Sequence, residues 1–249
     1  MRDFALETKQ RVQFIKDLVA SAGAAGIVYG NSGGKDSALV GILCKMACEN
    51  TVGLIMPCGS RRNYAIDRAD AEAVARQYNI EARVVDLSET KAALAGTLHT
   101  ATELTPSALA NIAPRLRMAA LYAVAASENR LVAGTGNRSE IYLGYFTKWG
   151  DGACDFNVIA DLTANEVWDF LRYLGAPDFL LSKPPSAGLF DGQTDEEELG
   201  LSYRSIDSFL LRGKAGIHER EIMEKLHHTT EHKRHLPIFY PGREQLESK

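Results

Sequence analysis

Residues 26–47 constrain the fold more than any other stretch. An apolar run rich in β-branched and aromatic residues, GIVYG, passes through NSGGKDS into ALVGILCKMA, a run of apolar helix formers. Strand, glycine turn and helix in immediate succession open a βαβ unit, the crossover that joins parallel strands. The alternation continues. TVGLIMP at 51–57 reads as a buried strand, residues 64–78 as a helix and EARVVDL at 81–87 as a third strand. Residues 114–127 read as a helix leading into RLVAGTG, whose apolar part is a fourth strand. An amphipathic helix over 5–22, with Phe4, Val12, Ile15, Leu18 and Val19 at helical spacing, precedes the first strand. The expectation is α/β: a doubly wound parallel sheet flanked by helices, in one domain over 1–249. After Asp151 the pattern turns irregular, and 182–198 reads as a long loop. GLSYRSIDSFLLRG is expected to form a short helix and EREIMEKLHHTTEHKRHLP a late one ended by Pro237.

In doubly wound sheets ligands gather at the carboxyl ends of the strands, beside the switch point. GNSGGKDS follows the first strand, PCGSRR the second and GTGNRSE the fourth. The first of these turns sits at a helix N-terminus, where unpaired N–H groups and the macrodipole favour an anion, phosphate above all. Gly33 and Gly34 lack a Cβ, so the main chain can approach an oxyanion, and Ser32 and Ser37 can donate hydroxyl hydrogen bonds. Asp36 would repel a bare phosphate unless a cation lies between them, which implies Mg²⁺. The pattern is neither G-x-x-x-x-G-K-[ST] nor G-x-G-x-x-G. A structural alternative remains, since αβ connections use glycine with a Ser or Asp cap for their own sake.

Glu140, in GTGNRSE, could complete a Mg²⁺ site with Asp36 or serve as an ordinary helix-start acid. YLGYFTKWGDGACD packs four aromatics, a lysine and two aspartates around glycines. It suits a flat, partly charged substrate that stacks on rings, or else an edge strand and turn covering the core.

With 249 residues, 45% hydrophobic and a net charge of −4, the chain has ample length for a core and no electrostatic case for nucleic acid; HKRH is its one basic cluster. No apolar stretch approaches the roughly 18 residues of a membrane span, and MRDFALETKQ lacks a signal-peptide core, so no membrane and a cytoplasmic address are expected. Cys44, Cys48, Cys58 and Cys154 form no CxxC pair. With Cys44 and Cys48 at i,i+4 they read as buried reduced thiols.

GNSGGKDS resembles the SGGxDS signature of the ATP pyrophosphatases. NIAPRLRM at 111–118, GTGNRSEIYLGYFTKWGDGACD at 134–155, KPPSAGLFDGQTDEEELGLSY at 183–203 and EHKRHLP at 231–237 look like the further signatures of the ammonia-dependent NAD synthetases, in that family's order. The resemblance spans about 26–240. It implies the adenine nucleotide alpha-hydrolase-like fold of the ATP pyrophosphatase type. It also implies ATP-dependent adenylation of the nicotinate carboxylate of deamido-NAD, release of pyrophosphate, and attack by ammonia to give NAD and AMP.

Carried over residue by residue, the resemblance makes Ser32, Gly33, Gly34, Lys35, Asp36 and Ser37 the ATP-phosphate loop, with Asp36 and Glu140 as Mg²⁺ ligands. Arg115 and Thr135 would contact ATP. Lys183 and Ser186 would belong to the family's loop over the phosphates, with Lys183 catalytic. Tyr145, Phe146, Lys148, Asp151 and Asp155 would form the deamido-NAD pocket, Asp151 with a catalytic role. His232 and Lys233 would touch the dinucleotide. The resemblance further implies a homodimer. It also implies free ammonia or a separate donor subunit, because a glutamine-dependent enzyme should carry a further amidohydrolase domain. One departure stands out: where many relatives place a phosphate-binding lysine within the segment matching Asp161–Asn165, this chain has Ala164. Lys35 could replace that cation, or could simply point to solvent.

Other ATP pyrophosphatases, such as GMP synthetase or tRNA-modifying ligases, share the first loop. A non-catalytic nucleotide-binding regulator is the reading from another class. It would have no need of Asp36, Glu140 and Lys183 together, since a pure binder stabilises no leaving group.

Overall fold

A computed structural model describes residues 2–59, 66–182, 195–238 and 240. Among them four strands, β1 (Gly26–Gly30), β2 (Thr51–Ile55), β3 (Glu81–Val84) and β4 (Arg130–Ala133), form one sheet in the order β3-β2-β1-β4. All pairings are parallel, with Val28 opposite Val52 on one side and Val132 on the other. The chain builds outward from β1 through β2 to β3, then returns to place β4 on the opposite flank. The switch point therefore lies between β1 and β4, and their carboxyl ends open a crevice there.

The helices are α1 (Phe4–Ser21), α2 (Lys35–Ala47), α3 (Arg68–Gln77), α4 (Ser88–Leu98), α5 (Pro106–Glu128) and α6 (Arg138–Leu143). They continue with α7 (Ala164–Tyr173), α8 (Asp178–Ser182), α9 (Asp195–Leu199), α10 (Tyr203–Arg212) and α11 (Ile217–Thr229), then a 3₁₀ turn over Glu231–Lys233. Strand alternation sorts the core. Ile27 and Tyr29 pack with Ile15 of α1, Leu39, Ile42 and Leu43 of α2 and Val167, Phe170 and Leu171 of α7. Val28 faces the other way, with Val52, Leu54, Val132 and Ala113 and Ala125 of α5. Each fully buried aliphatic or aromatic side chain contributes about 1.5–3 kcal/mol, so helices cover both sheet faces. The largest of these side chains needs a glycine: a Cβ on Gly41 would stand 2.3 Å from the Tyr29 hydroxyl. A third cluster, Leu143, Ala164, Leu201, Tyr203, Ile206 and Met223, ties α6, α7, α10 and α11 together beyond the end of β4.

Several boundaries differ from the sequence reading. α5 starts at Pro106, because Thr105 caps it through the Ala108 N–H and a proline suits the first turn; Pro114 is interior and buried instead of initiating the helix. The stretch after Asp151 is not irregular throughout. Thr163 is the N-cap of α7, and Glu166 reaches back to accept its N–H at 2.9 Å. Residues 195–198, placed in the long loop from sequence, belong to the helix Asp195–Leu199, while 183–194 lie outside the described residues. The last long helix stops at Thr229, well short of Pro237. Cys48 is extended and lies just past α2, so it does not share a helix face with Cys44. The four thiols are free, Cys44 and Cys58 buried and the other two partly so.

Candidate active site

The turn after β1 is shaped by Gly33, whose φ of +72° is left-handed and whose added Cβ would meet the Asp67 carbonyl oxygen at 2.2 Å. Ser32 Oγ lies 3.0 Å from Ser37 Oγ, Ser37 donates to the Gly34 carbonyl at 3.0 Å, and the Gly34 N–H donates to Ser32 Oγ at 3.3 Å. Gly34 begins α2 with no side-chain cap, leaving a helix N-terminus suited to an oxyanion.

Beside it stands a carboxylate cluster organised by a residue that the sequence reading passed over. Asn137 donates its side-chain N–H to Asp36 Oδ1 at 3.0 Å and accepts the Glu140 N–H at 3.0 Å. Its own N–H donates to Glu140 Oε2 at 2.9 Å. This capping box at the start of α6 turns Glu140 toward Asp36, so Glu140 is a helix-start acid and a cluster member at once. Burial, and then the charge of Asp36, push the Glu140 carboxyl well above the usual carboxylate range, with Lys35 opposing. Lys35 does not point to solvent: it is 6% exposed, with Nζ 2.5 Å from Asp36 Oδ2, 5.0 Å from the Trp168 ring centroid and 5.6 Å from that of Tyr203. Burial would lower its pKa, but Asp36, Glu140 and Asp195 outweigh that and raise it. Asp195, buried at the start of α9, accepts the Tyr203 hydroxyl at 3.0 Å. Behind the cluster, Asp207 locks three helices: it accepts Ser139 Oγ at 2.7 Å, the Asn165 N–H at 2.8 Å and the Asn165 side chain at 2.6 Å.

Asp36, Glu140 and Asp195 thus share one ammonium, an excess of negative charge that fits an added cation. No group of three or more His, Cys, Asp or Glu among the described residues is arranged to hold a metal by itself. Asp36 and Glu140 are the pair that could hold Mg²⁺, which takes one or two carboxylates and completes its shell with phosphate oxygens and water.

The aromatic turn meets α9, which carries Asp195, through Tyr145, whose hydroxyl donates to Glu198 Oε2 at 2.7 Å. Asp151 Oδ1 accepts the Thr147 N–H at 2.9 Å and helps close the turn. Several residues expected at the substrate brace that turn. Lys233 Nζ donates to the Gly144 and Phe146 carbonyls at 2.7 Å each and lies 5.5 Å from the Phe146 ring centroid, and burial lowers its pKa. Lys148 Nζ donates to the His232 carbonyl, while the His232 side chain is exposed. Arg115 is exposed on α5 and reaches the Lys148 carbonyl at 3.4 Å. Asp155 engages the sheet edge, accepting the Val132 N–H at 2.7 Å and the Tyr122 hydroxyl at 3.2 Å. Thr135 sits half-buried just past β4. Lys183 and Ser186 lie outside the described residues.

Arg117 is a further inward-facing cation that sequence reasoning missed. Its Nε donates to the Met56 carbonyl at 3.0 Å, at the carboxyl end of β2, and its charge acts on Asp151 and Asp67.

The NAD synthase family profile matches residues 7–237. An NH(3)-dependent NAD(+) synthetase of Carboxydothermus hydrogenoformans is 45% identical over 93% of this chain and 95% of its own. Among solved structures, the NMN synthetase of Francisella tularensis superposes with a TM-score of 0.91 at 34% identity, covering 97% of this chain and 100% of its own. The NH3-dependent NAD synthetase of Campylobacter jejuni does so at 0.78 and 30%, with the same coverage. With a profile match over most of its length and relatives aligned over nearly the whole of both chains, the chain belongs to the NAD synthase family.

Proposed function

We propose that this chain is an ATP-dependent ligase that amidates the nicotinate carboxylate of deamido-NAD with ammonia. The observation that carries the reading is the Asp36–Asn137–Glu140 cluster, set beside an uncapped helix N-terminus at the switch point of a family-matched sheet. A carboxylate oxygen attacks the α-phosphorus of ATP and the α–β bridging bond breaks, releasing pyrophosphate. Ammonia then adds through its lone pair to the acyl carbon, AMP departs with the C–O bonding pair, and the nitrogen loses a proton to give the amide. The loop N–H groups at Gly33–Gly34 hold the polyphosphate, and Asp36 and Glu140 would hold Mg²⁺. That ion supplies charge neutralisation on the departing pyrophosphate. The Tyr145–Phe146 turn, braced by Lys233, orients the pyridine ring.

The reading extends to one catalytic unit over residues 1–249 acting as a homodimer. Support for an interface comes from α4, which buries none of its residues, and from the largely exposed edge strand β3. No helix among the described residues is long and apolar enough to cross a membrane. A cytoplasmic setting, with neither membrane nor nucleic acid as partner, belongs to the same reading.

A second reading of the acceptor rests on the NMN synthetase superposition, closer in shape than the NAD synthetase at similar sequence identity. In it the substrate is nicotinate mononucleotide. One experiment addresses both: purified protein with ATP, Mg²⁺ and ammonium chloride, each omitted in turn, with deamido-NAD or nicotinate mononucleotide as acceptor. Amide product and pyrophosphate are expected only in the complete mixtures, and the ratio of kcat/KM values ranks the acceptors. Pyrophosphate release that ignores both acceptors would reject the proposal.

A further inference from the structure

Asp36 has no idle oxygen. Oδ1 accepts from Asn137 and Oδ2 from Lys35, so a divalent cation that takes this carboxylate must contend with an ammonium already on it. Lys35 is buried, which leaves that ammonium little water to retreat into. Besides the charges of Glu140 and Asp195 it meets two ring faces, Trp168 at 5.0 Å and Tyr203 at 5.6 Å, which attract a cation without fixing its direction as an acceptor atom would. Lys35 is also the first residue of α2, next to the Gly33–Gly34 turn, so rotation of its four-carbon stem carries Nζ from the carboxylates toward the helix N-terminus. On α7, Ala164 lies one turn before Trp168 and is wholly buried, so that helix supplies no cation from this position.

We propose that Lys35 is a tethered counter-ion. Its ammonium fills the cation position of the Asp36–Glu140–Asp195 cluster until a divalent ion displaces it, and once displaced it binds the nucleotide's phosphates. This rests on the assignment of Asp36 and Glu140 as the metal-holding pair. It adds a consequence that a permanent structural ion pair lacks: metal binding and release of Lys35 are one event, so the second phosphate-binding cation appears only when the first has arrived.

The test uses the whole chain and Mg²⁺ or Mn²⁺ alone, without nucleotide. The protein has two tryptophans, so in a Trp149→Phe background the emission reports on Trp168, over which Lys35 sits. Mg²⁺ titration is expected to shift that emission in the background protein and to leave it unmoved in Lys35→Met. Mn²⁺ binding, followed by electron paramagnetic resonance, is expected to be about tenfold tighter or more in Lys35→Met, the scale of removing one hydrogen-bonded charged competitor. Lys35→Gln serves the same purpose if the methionine variant does not fold, and Asp36→Asn should abolish the binding in either background. Mn²⁺ affinity no tighter in the lysine variants, absence of Mn²⁺ binding altogether, or an emission blind to Mg²⁺ would each overturn the tethered counter-ion. A protein that amidates a nicotinate nucleotide yet gives one of those results loses this proposal alone. Failure to amidate either acceptor defeats the function itself.

Discussion

Gly33→Ala tests whether the phosphate loop has the geometry ascribed to it. At φ +72° a side chain incurs about 1–2 kcal/mol of left-handed strain. The added Cβ would also sit 2.2 Å from the Asp67 carbonyl oxygen and 3.1 Å from the Ala71 nitrogen, both backbone atoms at the start of α3. Relieving the closer contact to 3.0 Å requires a relative shift of 0.8 Å, the difference of 3.0 and 2.2, between the loop and α3. Displacements of about 1 Å at reacting groups cost roughly 10²-fold in rate. The expectation is therefore a loss of about 10²-fold in kcat/KM. With strain and displacement together near 2–3 kcal/mol, Tm should fall by about 4–12 °C. Gly175→Ala is the control, since Gly175 has φ +73° but nothing within 4 Å of its added Cβ and lies past the end of α7. It should show the backbone strain in a thermal scan and leave steady-state amidation intact. If Gly33→Ala matched Gly175→Ala in both Tm and kcat/KM, the steric account of the loop would be wrong.

Asp36→Asn and Glu140→Gln should each lower kcat/KM by roughly 10²-fold or more, as expected for loss of a main electrostatic stabiliser. Glu140→Gln should hold or raise Tm, because it relieves the like-charge pressure beside Asp36, whereas Asp36→Asn should lower it by leaving the buried Lys35 ammonium without its carboxylate; wild-type rates at limiting Mg²⁺ would remove the residue from the metal pair. Asp161 predicts an acid limb in stability: burial alone would raise its pKa, but the Arg11 hydrogen bond and the charges of Arg11 and Arg2 prevail and lower it. A depressed folded pKa means stability that is present above the unfolded value of about 3.9 and lost as pH falls through the folded one. Asp161 is half-exposed, so the effect is about 1 kcal/mol or less, and equal Tm losses for wild type and Asp161→Asn between pH 5 and 3 would refute it.

What could be read from sequence was what local context decides. The strands announced themselves because apolar runs bounded by turn residues have few alternatives. The phosphate loop did so because adjacent glycines, hydroxyls and a carboxylate at a helix start leave little room for another chemistry. α7 was equally local, since Thr163 and Glu166 spell a capping box, but the glycine-rich turn before it masked the signal. α4 carried no such signal, because none of its residues is buried and hence no face had to be apolar. Side-chain contacts were not legible where partners are distant in sequence. Lys233 bonds a carbonyl 89 positions away, and no spacing rule announces that a cation will brace a loop. The direction of Lys35 was settled by Trp168 and Tyr203, on helices formed more than a hundred residues later.

Charge balance explains why these distant contributions converge. A helix N-terminus offers only about half an elementary charge, too little to hold a polyphosphate against three neighbouring carboxylates. Without cations between them, the phosphate loop and the Asp36–Glu140–Asp195 cluster would work against each other across the same crevice. Lys35 answers part of that conflict from inside the chain, with rings instead of water around its ammonium, and a divalent ion on the carboxylates answers the rest. Removing either cation should therefore impair the phosphates more than the acceptor. Variants of Lys35 should raise the KM for ATP while leaving that of the nicotinate nucleotide near wild type, and an equal rise in both would place the lysine outside the phosphate site.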